Sequence, residues 1–379
     1  MVFELAKQFG FCWGVERSIE LAWAARDAYP ASRMHITNEL IHNPGVNDLL
    51  KGMDVKFIQK DDEGAKRFDM VEEGEVVILP AFGASLDEMQ LLDEKGVTVV
   101  DTTCPWVSKV WTMVDKHKRA DMTSVIHGKW AHEESIATAS MCDHYIIVKD
   151  IHEAEEVAAY ILGEPDALTT EQLLEKYKNA ISKGFDPRKH LKRIGLANQT
   201  TMYKKETLAI GRLLEKTMMH VFGPDKIDEH FAAFNTICDA TQVRQDAVTE
   251  MSSRSEDLDF ILVVGGWDSS NTAHLLEIPV HAGVRGFHVN TAQCIRPDNT
   301  IEHRTVDGEV LVTDDFLPLD RPARIGVTSG ASTPDSVVQE CLEQIMLVKK
   351  TLSNYDEYLG LAQYFVMVNL EVGRKGPMD

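Results

Sequence analysis

The chain has 379 residues, 44% hydrophobic and 26% charged, an ordinary globular composition with room for two or three domains. Sixty Asp and Glu against 39 Lys and Arg leave a net charge of −21, which argues against broad binding to nucleic acid or anionic membranes. No apolar run reaches membrane-spanning length, and the start MVFELAKQFG lacks the regions of a secretion signal, so a cytoplasmic protein is expected.

Near the N-terminus, Gly-Phe-Cys12-Trp-Gly-Val forms a corner before a helical pattern over 15–29. Asn-Glu-Leu-Ile-His42-Asn43-Pro then carries a histidine ahead of a turn; a lone His is more often a surface or satisfied core residue. The acidic stretch 60–75 reads as a solvated face. Short β-branched runs follow at 76–79 and 97–100, then a second corner, Thr-Thr-Cys104-Pro-Trp, before a helical pattern over 107–122. After a strand at 124–126, His-Gly-Lys-Trp-Ala-His132-Glu133-Glu134 opens another helix. Imidazole and carboxylate at a helix start suit anion binding and proton transfer, and helix capping by the acidic pair explains them equally well.

A strand at 145–148 leads into a charged stretch, 151–193, which reads as a surface insertion with no catalytic part. The strand at 194–196 ends in Ala197-Asn198-Gln199-Thr200-Thr201, a loop rich in hydroxyl and amide groups. The third corner, Thr-Ile-Cys238-Asp-Ala-Thr, precedes a helical pattern over 242–251. Two strands, 260–264 and 324–327, end in small-residue loops: Gly265-Gly266-Trp-Asp-Ser269-Ser270-Asn271 and Thr-Ser-Gly-Ala-Ser332-Thr333-Pro334. Such loops at the carboxyl ends of buried strands form phosphate cradles, although capping explains either one alone, with Pro334 in the first helical turn. Together with His42 and His132 they suggest a site for a strongly anionic ligand such as a diphosphate.

The alternation of strands and helices favours parallel sheets with helices packed outside, and each cysteine corner marks one α/β unit. A thiolate at a helix start is stabilised by the helix dipole. Three of them converging would hold an iron–sulfur cluster with one iron free of protein sulfur. Cys142, Cys294 and Cys341 lack this context and read as structural, and no CxxC occurs to suggest a zinc ribbon.

The ordered motifs Gly-Phe-Cys12-Trp-Gly-Val-Glu-Arg, His42-Asn43, Asp-Thr-Thr-Cys104-Pro, His132-Glu133-Glu134, Gln199-Thr200-Thr201, Ile-Cys238, Ser269-Ser270-Asn271 and Gly-Ala-Ser332-Thr-Pro-Asp closely resemble the hydroxymethylbutenyl diphosphate reductases, the LytB or IspH family, over essentially the whole chain. The resemblance implies an α/β fold, a three-domain trefoil of pseudo-threefold arrangement around a central [4Fe–4S] cluster, one per chain. It further implies reductive dehydroxylation of (E)-4-hydroxy-3-methylbut-2-enyl diphosphate to isopentenyl and dimethylallyl diphosphate, the last step of the methylerythritol phosphate route. Carried over by position, Cys12, Cys104 and Cys238 would ligate the cluster, and Glu134 would deliver protons with Thr200 as relay. His42, His132, Ser269, Ser270, Asn271 and Ser332 would hold the substrate. A ferredoxin or flavodoxin would supply electrons, in the cytoplasm or, for a plant protein, the plastid stroma.

The expected units are 1–104, 105–237 with a helical insertion near 151–192, 238–345, and a tail at 346–379 packing on the core. One departure stands out: where many bacterial members have Ser-Ala-His-Gly-Val-Ser, this chain reads Pro80-Ala81-Phe82-Gly83-Ala84-Ser85. Phe82 removes one diphosphate contact, and this form resembles the plant and cyanobacterial branch. Two other readings are open: a three-cysteine cluster enzyme of the quinolinate synthase kind, which needs no reductant, and a phosphate-binding protein with structural zinc, which needs a closed four-ligand site.

Overall fold

The computed structural model describes residues 1–62, 64–233, 236–254, 257–353 and 366–367. Its strands, in chain order, are β1 (Val2–Leu5), β2 (Met34–Ile36), β3 (Val55–Phe57), β4 (Val76–Leu79), β5 (Thr98–Asp101), β6 (Thr123–His127), β7 (Tyr145–Val148), β8 (Ile194–Asn198), β9 (Phe231–Ala233), β10 (Phe260–Val264), β11 (Gly286–Val289), β12 (Ile301–Arg304), β13 (Val310–Thr313), β14 (Arg324–Ser329) and β15 (Val366–Met367). They form three sheets, ordered β3-β2-β4-β5, β7-β6-β8-β9 and β13-β12-β11-β10-β14-β1-β15. The first two are wholly parallel; in the third only β12 runs against its neighbours, antiparallel to both β11 and β13.

One four-strand plan recurs. A central strand (β2, β6 or β10) has its successor on one side, a third strand (β4, β8 or β14) on the other, and a fourth (β5, β9 or β1) beyond that. Each cysteine corner follows the fourth strand. The repeat expected from the corners is therefore present in topology, but β1 does not join the sheet of the segment that follows it. Val2–Leu5 pairs in parallel with Arg324–Val327, so the third plan is completed from the N-terminus.

Two compact units result, one of residues 1–16, 41–48 and 239–379, the other of 17–40 and 49–238. The first holds the sheet containing β1; its core gathers Phe260, Phe287 and Phe316 in edge-on contacts with Leu262, Val264, Ile325, Val327 and Ile345. The second holds the other two sheets. Strands β4, β6, β8 and β10 are buried along their whole length, which explains the unbroken apolar runs of β4 and β10.

Four expectations change. The stretch 151–192 is not surface decoration: Val157, Leu173, Tyr177, Phe185 and Leu191 enter the core against β6, β7 and β8. Its helices Ile151–Leu162 and Thr170–Lys176 show an apolar face that their many charges mask in the sequence. Within 60–75, Glu75 is buried, accepting from Arg33 at 2.7 Å and His35 at 2.9 Å, because a paired carboxylate tolerates burial. Pro334 is the N-cap of helix Asp335–Leu352 and not in its first turn, and the preceding Thr333 Oγ1 donates to Val264 O at 3.2 Å. Residues 346–352 belong to that same helix. The rest of the expected tail lies outside the described residues, apart from Ser353 and the backbone of β15, which pairs with β1.

Candidate active site

The candidate residues fall into two groups, one in each unit. In the unit containing β1, the loops after β10 and β14 meet at the point where strand order reverses, where open α/β sheets bind ligands. Helix Ser270–His281 starts there. Ser269 caps it, its Oγ accepting from Thr272 N at 3.3 Å, and Asn271 Oδ1 accepts from Ala331 N at 2.9 Å, tying the two loops together. Ser270 Oγ and Asn271 Nδ2 are buried and have no hydrogen-bond partner among the described residues. Two orphan donors at a helix N-terminus fit an anion such as a diphosphate.

Ser332 is half-buried on the loop after β14. His42, also half-buried, belongs to the same unit: a Cβ on Gly266 would lie 2.4 Å from His42 O, so only glycine allows that approach. Cys12 is half-buried, with its N–H donating to Ala331 O at 3.0 Å. Gly10, at φ +77°, makes the preceding turn, and Arg244 Nη2 donates to its carbonyl at 2.7 Å.

In the other unit, the loops after β6 and β8 meet at the corresponding reversal. His132 caps helix Glu133–Ser140, its Nδ1 accepting from Glu134 N at 3.2 Å. Capping thus falls to the histidine, which releases the glutamate side chain for another task. Glu134 is only 3% exposed; Oε1 accepts from Thr200 N at 2.6 Å and Oε2 from Thr200 Oγ1 at 2.9 Å. Gln199 braces the pair, its Oε1 accepting from Lys129 N at 3.0 Å and from Ser135 Oγ at 3.3 Å. A buried carboxyl bonded to a hydroxyl is an arrangement for proton transfer.

Cys104 is the N-cap of helix Pro105–Arg119, with its N–H donating to Ala81 O at 2.8 Å; Cys238 precedes helix Asp239–Ser252 and donates to Thr200 O at 3.4 Å. Each corner cysteine is therefore tied by its own N–H to the loop after the third strand of its sheet. Phe82, next to Ala81, is buried and apolar. Thr236 and Arg244 escaped sequence reading as site residues, and Asn198 was read only as part of a polar loop. A Thr two residues ahead of Cys104 and of Cys238 was the visible signal.

None of the three cysteines is in a disulfide, and their thiolates are suitable donors for an iron–sulfur cluster. Among the described residues no group of three or more His, Cys, Asp or Glu side chains is placed to hold a metal ion. Cys142 and Cys341 are structural: burial pushes each thiol up to about 12. Cys294 donates to Asn290 Oδ1 at 3.1 Å.

The chain is similar to known proteins. The family model described as LytB protein matches residues 3–346. A 4-hydroxy-3-methylbut-2-enyl diphosphate reductase of Synechococcus sp. (strain CC9605) is 53% identical over 343 residues, 90% of this chain and 84% of that protein. The chloroplastic reductase of Botryococcus braunii is 55% identical over 347 residues, 90% of this chain and 68% of the relative. The solved structure of the E-1-hydroxy-2-methyl-but-2-enyl-4-diphosphate reductase from Plasmodium falciparum is 21% identical, covers 90% of this chain and 87% of its own, and aligns with a TM-score of 0.62, a likeness of fold. With its three cysteine corners, its paired glutamate and threonine and the loops after β10 and β14 all lying within the matched span, the chain belongs to the LytB protein family.

Proposed function

We infer that this chain is a 4-hydroxy-3-methylbut-2-enyl diphosphate reductase, acting at the end of the non-mevalonate route to isoprenoids. The observation that carries this is the identity above 50% to curated reductases across 90% of the chain. The reaction takes two electrons and two protons, replaces the allylic hydroxyl by hydrogen, and yields water with isopentenyl or dimethylallyl diphosphate.

Cys12, Cys104 and Cys238 are the proposed ligands of a [4Fe–4S] cluster, which when bound supplies electrons and an iron open to the substrate hydroxyl. Ser269, Ser270, Asn271 and Ser332, with His42 and His132, hold the diphosphate and orient the chain of the substrate. The orphan donors Ser270 Oγ and Asn271 Nδ2 support this role. Glu134 gives up a proton through Thr200 Oγ1, which makes hydroxide, a poor leaving group, depart as water. A ferredoxin or flavodoxin as donor, a cytoplasmic or plastid-stromal setting, and units divided near 104 and 237 belong to the same proposal. Among the described residues no helix is long and apolar enough to cross a membrane.

Absorption and electron paramagnetic resonance spectra of anaerobically purified protein test the assignment. Brown protein whose cluster signal shifts on adding the hydroxylated diphosphate supports it. Colourless protein carrying zinc overturns it.

A further inference from the structure

A second hydrogen bond accompanies each cysteine tie, always at the same spacing. It joins the residue two before the cysteine to the last residue of the third strand, while the cysteine N–H reaches the carbonyl two residues beyond that strand. Thr102 Oγ1 donates to Leu79 O at 2.6 Å, beside Cys104 N to Ala81 O at 2.8 Å. Gly10 N donates to Ser329 Oγ at 2.8 Å, beside Cys12 N to Ala331 O at 3.0 Å. Thr236 Oγ1 donates to Asn198 Oδ1, beside Cys238 N to Thr200 O at 3.4 Å.

The third case differs in two ways. Its main-chain bond is the longest of the three, and its companion bond runs between two side chains, both fully buried. Asn198 Nδ2 also donates to Gln199 O at 3.0 Å, which holds the turn carrying Thr200. That turn bonds Glu134 through both carboxyl oxygens. Buried, mutually satisfied polar groups of this kind rigidify what they join.

We propose that this two-bond clamp presets each cysteine corner within the folded chain, and that Thr236 and Asn198 are positioning residues holding Cys238 and the Thr200–Glu134 pair as one rigid piece. For turnover this rests on the reductase reading above; for the corner itself it does not. Loss of the Thr236 hydroxyl leaves Asn198 Oδ1 buried without a donor and loosens the longest of the three cysteine ties.

Amide hydrogen exchange on the full chain before cluster reconstitution, followed by kinetics after it, tests the clamp. Thr236→Val keeps the side-chain shape. Its expected effect is about tenfold loss of protection at Cys238, with the Cys12 and Cys104 corners unchanged, since a net hydrogen bond is worth about that factor. Thr236→Ser restores protection. Ser329→Ala moves the loss to the Cys12 corner. In reconstituted Thr236→Val, kcat falls about tenfold while KM stays within twofold, because the diphosphate contacts sit on other loops. Wild-type exchange at Cys238 in Thr236→Val, or a loss spread equally over all three corners, overturns the clamp. Corner-specific exchange in a protein that lacks reductase activity upholds the clamp and overturns the functional reading instead.

Discussion

At the scale of single residues, Glu134 and Ser270 are expected to fail in different ways. Glu134 sits at a helix start where a capping role was equally plausible, yet His132 caps the helix and Glu134 turns to Thr200. Glu134→Gln keeps the shape and removes the transferable proton. Turnover should fall by roughly 10²–10⁴-fold while substrate still shifts the cluster spectrum; a variant turning over like wild type removes Glu134 from the acid role. Ser270 offers a buried donor at the proposed diphosphate. Ser270→Ala should raise KM about tenfold and leave kcat within a factor of two, the pattern of lost uniform binding. Steady-state kinetics decide between that and a loss in kcat alone, which would move Ser270 to the reacting end.

Among the elements, helix Pro105–Arg119 shows how closely helix and sheet pack. The His117 ring lies where a Cβ on Gly195 of β8 would stand, 2.3 Å away, and its Nδ1 pairs with Ser124 Oγ of β6 at 3.0 Å. Burial lowers His117 to about 4 from an ordinary 6.5. The unfolded chain therefore takes up the proton first. The contribution of His117 to stability is full above pH 6.5, declines as pH falls toward about 4 and then levels, a loss of roughly 3 kcal/mol. Chemical denaturation between pH 7 and 4 reads this, and His117→Asn should lessen the slope without abolishing it, since burial lowers His288 to about 4 as well. An equal slope in that variant assigns the pH dependence to other groups.

For the whole molecule, net charge sets how an electron donor arrives. At −21 the long-range force on an acidic ferredoxin is repulsive, so its second-order rate should rise as added salt screens the charges. Stopped-flow reduction over roughly 10–150 mM salt, a range in which the screening length shrinks several-fold, checks it. A rate that falls with salt points to a local basic docking face that outweighs the net charge.

The proposed site was visible in the sequence by itself: Cys12, Cys104, Cys238, Glu134 and the Ser269–Asn271 loop stand in corners and strand ends that local pattern marks out. Buried parallel strands such as Phe260–Val264 were legible as continuous apolar runs, whereas short strands such as Met34–Ile36 and Val55–Phe57 left no such signal. Only the tertiary structure decided which strand completes which sheet. Val2–Leu5 joins Arg324–Ser329, a pairing across more than 300 residues that no local period encodes. It also decided that 151–192 enters the core, because charges on an outer face hide a buried one. The clamp bonds behind the cysteines exist only once a third strand lies beside a fourth, for they join residues remote in sequence and adjacent only through the sheet.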